Sequence, residues 1–142
     1  MIKVVYFSLT GNTALMANKV AEGIENQGEK AKLIRFEDIS VDDLKDDKVF
    51  ALGCPAKGTE ELDLDLVQPF MDDFKDHFKG KTVALFGSYG WGDGQWMRDW
   101  VSLVEENGAK VLNGEGVICL ESPDNESEQA CLNLGKELAK SL

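Results

Sequence analysis

Short apolar runs alternate with amphipathic stripes along the whole chain, and this alternation limits the folds open to it. Residues 2–7 form a nearly continuous apolar run with Val and Tyr, the pattern of a strand buried on both faces of a parallel sheet. The next stretch, 12–27, puts Ala17, Val20, Ala21 and Ile24 on one helical face, and Gly28 follows as a stop. Residues 31–36 read as the second strand, 42–47 as a polar connector with room for one helical turn, and 48–53 as the third strand. A second stripe, Val67, Phe70, Met71, Phe74 and Phe78, ends at Gly80 and leads into a fourth strand at 82–87. Trp96, Met97, Trp100, Leu103 and Val104 make a third stripe with Gly108 beyond it. Val111, Leu112 and residues 117–120 form a fifth strand region, split by the polar 113–116, and Ala130, Cys131, Leu134 and Leu138 make the last stripe. Strands alternating with helices predict an α/β fold, a doubly wound five-stranded parallel sheet with helices on both faces. No internal repeat, low-complexity segment or linker interrupts the pattern, so residues 1–142 are read as a single domain.

Composition narrows the partners. Fifteen Lys and Arg against 26 Asp and Glu give a net charge of −11, which repels nucleic acid and anionic membranes and attracts basic protein surfaces. No apolar run approaches the ~20 residues of a spanning helix. The first residues open directly into a strand pattern, so no signal peptide is expected and the expected location is cytoplasmic. Cys54, Cys119 and Cys131 are odd in number and lack metal-ligand spacing, so they are read as reduced thiols in the core and no metal is expected. His77 has no partner motif and is given no catalytic role. Without an exposed apolar stripe, the chain is read as a monomer.

In a doubly wound sheet, ligands sit at the carboxyl ends of the strands, where the strand order reverses. Three loops at those ends are unusual. The first, Ser8-Leu9-Thr10-Gly11-Asn12-Thr13, runs from strand to helix and aims backbone N–H groups and a helix N-terminus at one point. It carries three hydroxyls and an amide but no Lys or Arg. It lacks the Gly-Lys-[Ser/Thr] ending of a Walker loop and is not a Gly-x-Gly-x-x-Gly turn. Such a loop could be a plain strand-to-helix turn with a good N-cap. Three hydroxyls around one Gly-Asn pair favour a neutral cradle for a phosphate that is held rather than cleaved.

The third loop, Ser88-Tyr89-Gly90-Trp91-Gly92-Asp93-Gly94, sets Trp91 between two glycines ahead of a helix. Trp96 and Trp100 belong to the helical stripe and are read as core. Trp91 would leave its apolar face in water unless a neighbouring loop or something flat covers it, and a planar aromatic ligand is the favoured reading. The middle loop, Cys54-Pro55-Ala56-Lys57-Gly58-Thr59-Glu60-Glu61, turns at Gly58, whose peptide can turn over at small cost. The Glu60 carboxylate could accept a hydrogen bond from a ring N–H. Asp63 and Asp65 are read as a solvated acidic face.

Taken together, Tyr6–Thr13, Gly53–Ala56, Gly58, Glu60 and the stretch ALFGSYGWGDGQWMR at 84–98 resemble the flavodoxins, of the short-chain type, and the similarity runs through the chain in order. The resemblance implies strand order 2-1-3-4-5 and non-covalently bound flavin mononucleotide (FMN) as the cofactor. By matching position it implies that Ser8, Thr10, Gly11, Asn12 and Thr13 hold the phosphate, with Ser88 a further donor. Trp91 should stack on the outer face of the isoalloxazine, the turn from Ala56 through Lys57, Gly58 and Thr59 should cover the inner face and the N5 edge, and Glu60 should bind the N3 side. Backbone near Gly90 should meet the pyrimidine edge, and Leu9, Pro55, Tyr89 and Gly92 share these loops. Two positions depart from part of the family. Pro55 stands where some members have a phosphate-binding Ser, and Lys57 where close relatives often have Met. The Lys57 stem could still pack on the ring with its ammonium in water, and a cation there would ease formation of an anionic reduced state.

The implied function is that of a low-potential one-electron carrier, shuttling between semiquinone and hydroquinone for redox partner proteins, reductases and low-potential oxidoreductases with basic surfaces. It is an electron-transfer protein and not an enzyme. The family pattern has the Gly58 carbonyl swinging toward N5 in the neutral semiquinone. Excess negative charge and the Trp91 ring both disfavour the reduced anion. The alternative is an FMN-dependent NAD(P)H quinone or nitro reductase on the same fold, which needs a nicotinamide site. A receiver domain is rejected, because the first strand leads into Ser8-Leu9-Thr10 rather than an acidic pair. A low-molecular-weight phosphatase would need a Cys and an Arg in that loop.

Overall fold

In a computed structural model, which describes residues 1–57 and 61–142, the alternation resolves into one sheet between two helical layers. The strands are β1 (Ile2–Tyr6), β2 (Ala31–Arg35), β3 (Val49–Gly53), β4 (Thr82–Tyr89), β5 (Lys110–Val111) and β6 (Val117–Leu120). The helices are α1 (Asn12–Asn26), α2 (Val41–Leu44), α3 (Val67–Phe74), α4 (Gln95–Glu106) and α5 (Asn125–Lys140). The order is β2-β1-β3-β4-β5, and β6 also pairs with β4. All the pairings between these strands are parallel.

The fifth position of the sheet is thus filled by two segments. β5 pairs with the start of β4 at Thr82 and Val83, and β6 pairs with its end from Phe86 to Tyr89. Between them a 3-10 turn over Leu112–Gly114 carries Asn113 in the left-handed region, at φ 65°. The polar break in the sequence marks this detour. Leu112 leaves the expected strand and enters the turn, where its side chain is buried.

Continuous apolar strands serve two cores at once, because side chains alternate across the sheet. On one side Phe50, Leu52, Val83 and Leu85 pack with Phe70, Phe74, Trp96 and Trp100 of α3 and α4. On the other, Val49, Ala51, Ala84 and Phe86 pack with Met16, Val20, Ile24, Leu134 and Leu138 of α1 and α5. Cys54, Cys119 and Cys131 are buried free thiols. Burial pushes their pKa values up, to about 12 for Cys54 and Cys131 and about 11 for Cys119, so they are inert side chains of the core. His77 is exposed and lies with its ring centroid 5.6 Å from that of Phe74. Among the described residues no helix is long and apolar enough to cross a membrane.

From β1 the chain moves outward to β2, then returns past β1 to β3, so the strand order reverses between β1 and β3. The segments leaving β1, β3, β4 and β6 all emerge at that carboxyl edge, because the strands are parallel.

Candidate functional site

The first loop is shaped by one hydroxyl. Ser8 Oγ accepts from the backbone N–H of Gly11 at 3.1 Å and of Ala14 at 3.3 Å. With two donors directed at it, the oxygen leaves its own proton free to point outward. Gly11 precedes α1 at φ 93°, a left-handed conformation that favours glycine, and an added Cβ there would meet nothing within 4 Å. Open space therefore stands over Gly11, next to the positive end of α1. Leu9 and Thr10 are exposed. Asn12 Oδ1 accepts from the Ser122 hydroxyl at 3.4 Å.

Thr13 turns inward. Its hydroxyl lies 2.9 Å from that of Ser88, both residues are buried, and the Ser88 N–H reaches Thr13 Oγ1 at 3.4 Å. The first and third loops, 75 residues apart in sequence, thus meet at two hydroxyls.

The middle loop hangs from β4. Cys54 N–H donates to the Phe86 carbonyl at 3.1 Å, Ala56 N–H to the Ser88 carbonyl at 2.9 Å, and the Trp96 indole N–H to the Cys54 carbonyl at 3.3 Å. Gly87 permits this approach, since a Cβ on it would strike the Cys54 carbonyl oxygen. Pro55 is buried and Ala56 half-buried. Lys57 and Glu61 then exchange backbone hydrogen bonds, each 2.8 Å, as an antiparallel bridge. Gly58, Thr59 and Glu60, three of the sequence candidates, lie outside the described residues.

Two expectations for this loop change. Asp63 is not solvated: it is 1 % exposed, and its Oδ2 accepts from the N–H groups of Leu66 at 2.6 Å and Val67 at 3.1 Å, capping the start of α3. The Lys57 ammonium is not simply in water either. It lies 2.8 Å from Asp63 Oδ1 and 3.6 Å from Asp65 Oδ2. Burial by itself would raise the Asp63 pKa, but the Lys57 ammonium and the two amides outweigh it and hold the carboxyl below its ordinary value. The Lys57 pKa is raised in turn, chiefly by its hydrogen bond to Asp63.

In the third loop Trp91 is 62 % exposed, whereas Trp96 and Trp100 are buried as expected. Tyr89 lies with its ring centroid 5.5 Å from that of Trp96. Gly90 and Gly92 are exposed, and an added Cβ at Gly90 would meet nothing within 4 Å. Arg98 stiffens the far end of the loop by donating to the Asp93 carbonyl and carboxylate, both at 3.0 Å.

A fourth loop, which sequence reasoning passed over, joins the same edge. Glu121 donates its N–H to the Tyr89 carbonyl at 2.7 Å and holds φ 58°, a left-handed conformation uncommon for a residue with a side chain. Ser122 reaches Asn12, so this loop touches both the first and the third. In sequence it shows only an ordinary Ser-Pro turn signal.

The strand order and the two helical layers define the flavodoxin-like class of doubly wound proteins. Residues 4–134 match the family model for Flavodoxin. The flavodoxin of Megasphaera elsdenii is 46 % identical over 140 residues, covering 99 % of each chain, and that of Clostridium beijerinckii is 41 % identical over 144 residues, covering 97 % of this chain and 99 % of the relative. The solution structure of the two-electron reduced Megasphaera elsdenii flavodoxin superposes with a TM-score of 0.91, over 99 % of both chains. The chain belongs to the flavodoxin family. It is an FMN-binding electron-transfer protein rather than an enzyme, and these relatives lend no support to the reductase alternative.

The residues present fit that cofactor. The first loop offers neutral donors and open space over Gly11, and an exposed indole stands on the same edge of the sheet.

Proposed function

We propose that the chain, acting as one domain and as a monomer in the cytoplasm, carries single electrons at low potential between redox partners with basic surfaces. Bound FMN supplies the redox chemistry, taking up and releasing electrons one at a time. The chain's part is to hold it, shield it and set its potential.

Ser8, Thr10, Gly11, Asn12 and Thr13 hold the phosphate through neutral donors, with Ser88 a further donor. Trp91 covers one face of the ring and keeps water from it. Pro55, Ala56 and Lys57 cover the other, with Gly58 and Thr59 continuing that arm, and Glu60 binds a ring N–H. Tyr89, Gly90 and Gly92 bring backbone to the pyrimidine edge, and Leu9 flanks the phosphate. The net charge of −11 opposes formation of a reduced anion and directs the carrier toward basic patches, with fast, salt-sensitive association.

The observation that carries this reading is the exposure of Trp91, 62 %, on the sheet edge that also bears the Ser8 cradle. Stepwise anaerobic reduction of the FMN-loaded protein tests it. Two resolved one-electron steps are expected. A single two-electron step, accelerated by NAD(P)H, would overturn it.

A further inference from the structure

Arg35 ends β2 beside its register partner Tyr6 on β1. It lies four residues after Ala31, so both share the sheet face on which Ala31 and Tyr6 pack toward α1 and α5. The Arg35 pKa is held above its ordinary value, chiefly by the Tyr6 side chain beside it. A cavity of about 190 Å³ opens here, and its lining joins Arg35 and Tyr6 to Ser8, Gly11 and Ala14 of the first loop and to Glu37. Arg35 is the one cation among these six residues and Glu37 the one anion.

The placement bears on a problem the first loop leaves unsolved. Its side chains are all neutral, and the chain carries a net charge of −11. A phosphate dianion seated among neutral donors still meets the repulsion of the whole protein. Arg35 and Glu37 are both exposed, so they act on the loop through the field rather than by contact, and salt weakens that action.

We propose that Arg35 is a specificity-determining residue for the phosphorylated cofactor: its guanidinium, on the cavity that Ser8 and Gly11 also line, offsets the repulsion at the phosphate and favours FMN over riboflavin. Glu37, on the same cavity, works against it. The inference rests on the reading of Ser8–Thr13 as the phosphate cradle.

The test is titration of the apoprotein with FMN and with riboflavin, followed by quenching of flavin fluorescence, at low and high salt. Arg35→Gln should weaken FMN binding about threefold to tenfold at low salt, less at high salt. Its riboflavin binding should be unchanged, which also reports an intact fold. Arg35→Lys should recover most of the loss, and Glu37→Gln should tighten FMN. An unchanged FMN affinity in Arg35→Gln, or an equal loss for both flavins, overturns the role of Arg35 while leaving the cradle standing if the unaltered protein still prefers FMN. If the unaltered protein binds both flavins alike, the cradle reading fails and the role of Arg35 falls with it.

Discussion

The Lys57 ammonium lies 2.8 Å from Asp63 Oδ1, and the carboxylate it meets is buried. One side chain here does two jobs: Asp63 caps α3 through the amides of Leu66 and Val67, and it fixes the arm that leads into residue 58. The pair is neutral as a unit, so Lys57 does not offer a reduced flavin the free cation that its place in the sequence suggests.

Breaking the pair from either side should therefore move the potential in opposite directions. Lys57→Met leaves a buried carboxylate without its cation and should lower the midpoint potential of second-electron uptake. Asp63→Asn releases the cation and should raise it. Shifts of ~20–60 mV are expected for one charge at this range. Spectroelectrochemical titration measures both, and shifts of the same sign would show that the pair does not act through charge.

Stability should follow the same pair in pH. The Asp63 carboxyl is held below its unfolded value of ~3.9, so its contribution is present above that pH and lost as pH falls through the folded value. Lys57 is raised, so its contribution is present below ~10.4 and lost as pH rises through its folded value. Thermal melts should show a plateau between these limits. Asp43 and Asp124, lowered by their hydrogen bonds to Ser40 and Ser127, share the acid limb. Asp63→Asn should make that limb shallower without abolishing it.

Thr13→Val removes one member of the buried hydroxyl pair and leaves Ser88 without its partner. FMN affinity should fall by about fivefold to thirtyfold, as loss of a buried hydrogen bond implies. Riboflavin affinity should barely change. Equal losses in the two titrations would show that the hydroxyl pair supports the loop but not the phosphate.

Trp91→Ala should weaken flavin binding by about tenfold to a hundredfold, the range of ring stacking on an aromatic side chain. It should also raise the potential of second-electron uptake, because water reaches the ring. An unchanged potential would remove Trp91 from the tuning of the cofactor.

Much of the fold was legible because local chemistry and tertiary structure agree. The apolar runs at 2–7, 48–53 and 82–87 are strands buried on both faces, and the polar 113–116 marks the place where the fifth strand position breaks. Asp63 was not legible for a physical reason. Glu61, Asp63 and Asp65 look alike along the chain, and only the start of α3 and the reach of Lys57 single out Asp63 as the buried one of the three. The loop after β6 was missed because Glu121 and Ser122 are ordinary residues whose importance lies in what they touch, Tyr89 and Asn12. Arg35 passed unnoticed for the same reason, since β2 brings it to the first loop from another part of the chain.

The middle loop is tied to β4 at Phe86 and Ser88 and to α4 at Trp96, and Ser88 also carries Thr13 of the first loop. The groups that would surround the cofactor thus share one mount. A carrier built this way holds these groups in fixed relation before the cofactor arrives, so little ordering of the chain is left to oppose its binding.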